Sequence, residues 1–425
     1  MKILFLSPDS SFSLAKRIED EGHTVYCWTS EKEPYQRGIV KNIIKDWKTV
    51  APKVDLIITD DVVLNDKVLK EIGKPTVSGN ELFNKLENDR LFGKFAFQKA
   101  GLTTSDCVRF TDFKKAMEFV KANPGRWVFK ANGQAARTLG FVAKDESGKD
   151  MLERLAFYEQ HMKTNKKLWD KKLGVDFVLE RAVDGIEIAC GAYWDGKDFA
   201  GLNLNWEHKR LGVGNVGIAT GEMGTAIHAI SSSTRLYRDT LAKLKPLLQS
   251  SPYHSYVDLN MIVDKDNAYV LEITSRMGWP IEAALDSMSS IRTSERYVRL
   301  ATNSLHERPF FKSEWGIALT VGTFGFPYEK AYEEFGADQP FSLPKGKDRQ
   351  VYLYAADKVN SHLETSPSGE GLVMVVVGTA DSLEAARDKA YGVVDDLDLP
   401  GKMYRTDIGE KVKEQVTQLK KWGWL

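Results

Sequence analysis

SYVDLNMIVDKDNAYVLEIT, residues 255–274, decides how the middle of this chain folds. Two apolar runs flank Asp-Lys-Asp-Asn, a composition that favours a tight reversal, so the stretch predicts a β-hairpin with DKDN as its turn. Folding it back sets Asn260 opposite Glu272 and leaves Asp258 on the same face as Asn260, because side chains alternate along a strand. Glu272 sits between Leu271 and Ile273, and a buried carboxylate without a partner is costly. Acidic and amide side chains on neighbouring strands suit Mg²⁺, which keeps some waters and takes the rest of its shell from nucleotide phosphates. Glu272, Asn260 and Asp258 are therefore candidate metal ligands.

Upstream, DFVLERAVDGIEIACGAYWDG (176–196) reads as two strands around a turn flanked by Glu180 and Glu187, and RWVFKANG (126–133) as a strand that carries Lys130 into a glycine turn. ENDRLFGKFAFQKAGL (87–102) has helical spacing and stops at Gly101, and the lysine-rich MLERLAFYEQHMKTNKKLWDKK continues the helical pattern. KILFLS, TVYCW, VDLIITDD (54–61) and KPTVSG (74–79) alternate with polar helical stretches. That alternation predicts a parallel sheet whose ligands bind at the carboxyl ends of its strands, where Asp60 and Asp61 fall. GLVMVVVGTADSLEAARDKAYGVVDDL (371–397) adds one more strand and helix. EHKRLGVGNVGIATGEMG (207–224) is not a nucleoside triphosphatase phosphate loop, since its Lys209 and Arg210 precede the glycines. Taken singly, Lys130 also suits a solvated strand end, His208 a hydrogen-bonded structural histidine, and Asp60 with Asp61 a helix cap.

With 425 residues, the chain is long enough for two or three domains. Lys plus Arg equals Asp plus Glu at 59 each, which argues against a general nucleic-acid or membrane-surface binder. Cys27, Cys107 and Cys190 are too scattered for a disulfide framework or a zinc site, so a reducing cytoplasm is expected. MKILFLSPDS reads as a buried strand rather than a signal peptide.

The order of these motifs resembles the ATP-grasp ligases, and within them the phosphoribosylamine–glycine ligase family. LENDRLFGKFAFQKAGL, VFKANGQAARTLGFV, VLERAVDGIE, EHKRLGVGNVGIATGEMGTA, VLEITSRMGWPI and the tail through FYRxDIG-like MYRTDIG are similar to that family's motifs, in the same order over nearly the whole chain. The resemblance implies an α/β chain with an ATP-grasp fold: an N-terminal parallel-sheet domain (1–85), an ATP-grasp region (86–310) with a lid near 125–190, and a small C-terminal α+β domain (311–425). It implies ATP and Mg²⁺, with Mn²⁺ as a substitute, and small-molecule substrates, an amino acid and an amine; no membrane is expected, and monomer and homodimer stay open. Carried over residue by residue, Arg90 and Lys130 would bind phosphates, Glu180 and the Ala182 backbone the adenine edge, and Glu187 the ribose. Glu272 would hold the metal beside Thr274, which replaces a ligating asparagine. Arg276 would steady an anionic phosphate or acyl phosphate. Glu207, His208, Lys209 and Arg210 with Thr220, Gly221, Met223 and Gly224 would hold the carboxylate substrate and the reaction intermediate.

Departures cluster at the amine end. SPDSSFS (7–13), including Ser10, stands where the family has a GGREH-type loop for a ribose phosphate, and Thr59, Asp60 and Asp61 replace GPE. Trp279 replaces an aspartate, Glu222 a glycine, and the nucleotide loop QAARTLG has gained Arg137. Three function classes follow: an ADP-forming ligase joining a glycine-like amino acid to another amine, such as a modified nucleotide; the phosphoribosylamine ligase itself; or a nucleotide-binding homologue without catalysis.

Overall fold

A computed structural model describes residues 1–60, 66–133, 139–162 and 174–425. The first apolar runs become β1 (Lys2–Leu6), β2 (Thr24–Trp28), β3 (Ile43–Ile44), β4 (Leu56–Thr59) and β5 (Thr76–Val77), a parallel sheet in the order β3-β2-β1-β4-β5. Ile3 and Phe5 pack into one core and Leu4, Leu6 and Ile57 into another, so both faces are covered and the strands read as unbroken apolar runs. The strand order reverses between β1 and β4. Their carboxyl ends therefore lie side by side, with the Asp60 N–H donating to the Leu6 carbonyl at 3.2 Å, and open the crevice where such sheets bind ligands.

A second sheet contains β6 (Cys107–Phe110), β7 (Trp127–Ala131), β8 (Phe141–Val142) and β9 (Phe177–Arg181), ordered β6-β9-β7-β8. With the helices Phe113–Ala122 and Lys149–His161 it encloses a separate aromatic core of Phe113, Trp127, Phe129, Tyr158 and Phe177. This unit runs from Cys107 to Arg181, whereas the lid is expected near 125–190.

The remaining strands are β10 (Ile186–Trp194), β11 (Phe199–Glu207), β12 (Arg210–Gly212), β13 (Val216–Ala219), β14 (Gly224–Ala229), β15 (Ser255–Val263), β16 (Ala268–Thr274), β17 (Trp315–Gly322), β18 (Pro340–Phe341), β19 (Val351–Leu353), β20 (Ala356–Val359), β21 (His362–Thr365) and β22 (Leu372–Ala380). Eight of them form one sheet, β16-β15-β10-β11-β14-β17-β22-β19. Two expectations are corrected here. Strands β9 and β10 are not a hairpin: each joins a different sheet, and the chain crosses at Gly185, where a Cβ would come within 2.5 Å of the Val263 carbonyl oxygen. The boundary expected at residue 311 falls inside a continuous sheet, because β17 pairs with β14 and carries β22 and β19 into it. The hairpin of 255–274 forms with the expected pairing, Asn260 opposite Glu272 and Asp258 opposite Thr274. No helix among the described residues is long and apolar enough to cross a membrane.

Candidate functional site

One face of the eight-stranded sheet packs on the core through Cys190, Leu204, Trp206, Leu259 and Ile273. The residues between them point the other way: Asn205 and Glu207 from β11, Asp258 and Asn260 from β15, Glu272 from β16. Strand β10, which lies between β11 and β15, contributes only Ala189 and Gly191 beneath them, so side chains from its two neighbours meet above it. Asn260 Nδ2 donates to Glu207 Oε2 at 2.7 Å, and Asn205 Nδ2 to Asp258 Oδ2 at 3.0 Å. A Cβ at Gly191 would lie 1.9 Å from the Tyr256 hydroxyl and 2.8 Å from Asp258 Oδ1, so glycine is what leaves this space open.

Cations cover the acids. Arg90 donates to Glu272 Oε2 at 2.9 Å and to the Ala131 carbonyl at 3.2 Å, while Lys209 Nζ lies 2.8 Å from Glu207 Oε2 and 3.7 Å from Glu272 Oε1. Burial opposes charge on Glu272, but Lys209, Arg90 and Lys130 overcome it and hold the carboxyl well below the usual range. A second knot lies on the small sheet: the Glu180 carboxylate accepts from buried Lys94 and from Ser105, and Lys130 Nζ sits 2.8 Å away. Burial again opposes, and Lys130 with Lys94 brings Glu180 down to about 2. Lys94, which sequence reasoning missed, sits on the helix Arg90–Lys99 one turn after Arg90; its signal is the lysine within LFGKF.

Beneath Lys209 lie two buried acids, Glu222 and Asp258, 7% and 5% exposed. Burial, reinforced by Glu207, pushes the Asp258 carboxyl up to about 7. Its folded pKa thus exceeds the ordinary unfolded value of about 3.9, so the protonated acid is favoured in the fold and stability falls as pH rises from about 4 to about 7. Asp258→Asn should therefore stabilise the protein at pH 8, by at most about 4 kcal/mol, and by nothing measurable near pH 4. Urea unfolding at the two pH values checks this; an equal gain at both would refute the ionisation cause.

The carboxyl ends of β1 and β4 border a cavity of about 340 Å³ lined by Asp9, Asp60, Gly221, Arg276, Trp279 and Tyr354. Arg276 donates to Glu87 Oε1 at 3.2 Å, and the same carboxylate receives the Ser275 N–H at 3.0 Å. Gly221 belongs to the loop tied to Lys209 through Thr220, whose N–H donates to the Lys209 carbonyl at 2.8 Å. The cavity therefore adjoins the Lys209 cluster.

Residues 88–282 match the model of the phosphoribosylglycinamide synthetase ATP-grasp (A) domain. The chain carries an ATP-grasp domain. It resembles phosphoribosylamine–glycine ligase: that of Streptococcus pyogenes serotype M1 is 27% identical over 379 residues, covering 86% of this chain and 84% of the relative. The Ralstonia nicotianae protein of that name is 26% identical over 337 residues, covering 77% and 76%. The crystal structure of phosphoribosylamine–glycine ligase from Thermotoga maritima superposes with a TM-score of 0.75 at 17% identity, over 96% of this chain and 100% of that one. ATP-grasp ligases of this kind form a C–N bond and release ADP.

Within this ATP-grasp domain, Arg90, Lys130, Lys209, Glu207, Asn260 and Glu272 come together, and exposed Glu187 adds to the field on Lys209. Other expected residues lie elsewhere. His208 alternates away from Glu207 and Lys209; its Nδ1 is 3.1 Å from the Trp206 carbonyl, and burial followed by Arg405 lowers its pKa. Exposed Arg210 donates to the Gly217 carbonyl at 3.0 Å within its own hairpin. Met223 is buried and Gly224 lies against the Ala318 carbonyl, so both seat β14. Glu180 spends its carboxylate on lysines, and the Ala182 N–H donates to the Arg126 carbonyl at 3.0 Å. Ser10 is fully buried and donates to Thr29 Oγ1 at 2.9 Å. Thr274 stands opposite Asp258, at the end of β16. Asp61 and Arg137 fall outside the described residues.

Mg²⁺ fits this donor set on one condition. Glu272 with Asn260 opposite supplies one ionised carboxylate and one amide, which suits an ion that completes its shell with water and nucleotide phosphates. Among the described residues no group of three His, Cys, Asp or Glu side chains is arranged to hold a metal unaided.

Proposed function

We propose that this ligase activates the carboxylate of a glycine-like amino acid with ATP and transfers the acyl group to an amine other than phosphoribosylamine. The observation that carries the reading is the cavity beside β1 and β4, where, among the described lining residues, the acids Asp9 and Asp60 outnumber the cation Arg276. Two unit charges at close range cost on the order of 1 to 4 kcal/mol at effective dielectrics between water and a protein surface, so a dianionic ribose phosphate is disfavoured there.

Arg90 and Lys130 bind nucleotide phosphates, Glu187 the ribose, and the strand end near Glu180 and Ala182 the adenine. Glu272 and Asn260 would hold Mg²⁺ together with the nucleotide, and the ion would supply neutralisation of phosphate charge. Lys209 and the Thr220–Gly221 backbone hold the substrate carboxylate in line, whose oxygen attacks the γ-phosphorus; the bond to the bridging oxygen breaks and ADP leaves. The amine nitrogen then attacks the acyl carbon, the C–O bond breaks with release of inorganic phosphate, and the nitrogen gives its proton to solvent. Because water would destroy the acyl phosphate, the small sheet with its own core acts as the lid. Lys130→Ala should weaken Mg·ATP binding about tenfold or more by calorimetry, and ATP should slow amide exchange across the small sheet in the wild type. Unchanged affinity in the variant would remove Lys130 from the phosphate site, and unchanged exchange would remove the lid.

The names of the relatives support a second reading, in which phosphoribosylamine is the acceptor. Freshly generated phosphoribosylamine, glycine and Mg·ATP separate the two through ADP release. Little or none is expected; turnover matching an authentic purine-pathway ligase run alongside would establish the second reading instead.

A further inference from the structure

The loop that carries Lys209 leaves and rejoins the eight-stranded sheet at one place. As β11 ends, the His208 N–H donates to the Gly224 carbonyl at 3.0 Å, and on the return the Met223 N–H donates to the His208 carbonyl at 2.8 Å. The Thr220 N–H and hydroxyl both donate to the Lys209 carbonyl, at 2.8 and 3.1 Å. Beyond this base, β12 and β13 run out as a two-stranded sheet that pairs with no other strand among the described residues. Its side chains bury little. Val213 and Val216 are 51% and 62% exposed, and an isolated two-stranded hairpin is marginal in water, so an anchor other than a core must hold this one.

The anchor comes from the far end of the chain. Buried Arg405 donates to Asp407 along one edge of its fork, from Nε to Oδ1 at 2.8 Å and from Nη2 to Oδ2 at 2.6 Å. Its Nη1 donates to the Arg210 carbonyl at 3.0 Å and to Asn215 Oδ1 at 2.8 Å, one at the start of the hairpin and one at its tip. Asp407 Oδ2 also accepts the Gly214 N–H at 2.9 Å. Gly214 and Asn215 have φ of 72° and 61°, the left-handed pair that closes a tight hairpin turn. The clamp is itself fixed: Tyr391, on the helix Leu383–Asp395, donates its hydroxyl to the Arg405 carbonyl at 2.9 Å and accepts the Ile408 N–H at 3.1 Å. Ile408 in turn packs on the first residue of β14, since a Cβ at Gly224 would lie 3.0 Å from it. Only a planar fork of several donors reaches a carboxylate, a carbonyl and an amide oxygen at once, so lysine is not an equivalent here.

We propose that Arg405, held by Asp407, is a positioning residue: it fixes the hairpin 210–219 and thereby sets Lys209 and the Thr220–Gly221 backbone at the hairpin's base. The inference rests on the ligation reading above for what that base holds, the substrate carboxylate, but the clamp itself does not. A carboxylate needs the Lys209 ammonium and the neighbouring backbone in one place together. Freeing the hairpin spreads them over many arrangements, and binding must then bear the cost of ordering them again. Arg405 touches neither nucleotide nor carboxylate and acts through Lys209 alone.

Two measurements on the full chain test it. Amide exchange reads the clamp without substrate: Arg405→Met should speed exchange across 210–220 by about tenfold or more and leave β15 and β16 as they are. Asn215→Gly keeps the left-handed backbone and removes one anchor at an exposed tip, so it should speed the same amides a few-fold without disturbing the fold, and it decides the matter if Arg405→Met does not fold. Calorimetry with Mg²⁺ and a non-hydrolysable ATP analogue reads the consequence. Glycine affinity should fall about tenfold in Arg405→Met and recover in part in Arg405→Lys, while affinity for the analogue stays within about threefold. Unchanged exchange over 210–220 in both variants would overturn the inference, and so would faster exchange throughout the chain with equal loss of nucleotide and glycine, the mark of a merely structural arginine. If exchange quickens locally while glycine binds equally to every form, or to none, the clamp stands and it is the ligation reading that fails.

Discussion

Glu272→Gln is expected to lower ADP release by about 10³-fold while Mg·ATP still binds, because the substitution keeps the shape of the side chain and removes its charge. That charge draws Arg90 at 2.9 Å and Lys209 at 3.7 Å to one carboxylate and is the ionised oxygen donor that the proposed Mg²⁺ position requires. Positioning and charge neutralisation account for most of the acceleration of phosphoryl transfer, and loss of a single fixed electrostatic partner in an active site costs on the order of 10²- to 10³-fold. Binding should survive for the opposite reason. Without the carboxylate, Arg90 and Lys209 present uncompensated positive charge to the triphosphate, which partly offsets the lost metal contact. Calorimetry with Mg·ATP beside an ADP-release assay distinguishes the two effects. A fall of less than tenfold in turnover would take Glu272 out of the chemistry, and parallel loss of nucleotide binding would make it a scaffold residue.

Arg296→Met should destabilise the protein by about 3–5 kcal/mol, the usual cost of stripping one partner from a buried ion pair. Arg296 is fully buried, 3.1 Å from Glu282 and 2.8 Å from Asp286, with the Tyr193 and Tyr297 rings around it. It ties the helix Thr293–Ala301 to the helix Ile281–Met288, which begins just after Trp279 and closes the amine cavity through Glu282. Removing the cation leaves two carboxylates in a dry interior. Glu282 already lies above its ordinary range because burial outweighs Arg296, so acid should partly rescue the variant by protonating it. Urea unfolding of both proteins at pH 5 and pH 8 measures the loss and its pH dependence. A loss below 1 kcal/mol would mean that water reaches these carboxylates.

The sequence by itself determined the elements whose signal is local. Period-two alternation on either side of DKDN sets Asn260 against Glu272, and unbroken apolar runs require the parallel sheet, since strands covered on both faces have no polar side to show. It also placed Lys130 at a strand end and Arg90 on a helix, near enough to the acids for the cluster to form. Tertiary structure alone decided which strands share a sheet. A turn between Glu180 and Glu187 looks like a hairpin locally, yet β9 finds β6 and β7 while β10 finds β11 and β15, because pairing is chosen by distant strands that periodicity does not encode. The same holds for the strands after residue 311, which complete a sheet begun more than a hundred residues earlier. Which charges matter was settled in the same way. His208 and Lys209 are adjacent in sequence and point to opposite sides, Lys94 meets Glu180 across 86 residues, and Asp258 becomes a weak acid only because a neighbouring strand of alanine and glycine lets it sink beside Glu207. Burial and charge neighbours are properties of the packed fold, and they set the chemistry of residues whose identity the sequence had already supplied.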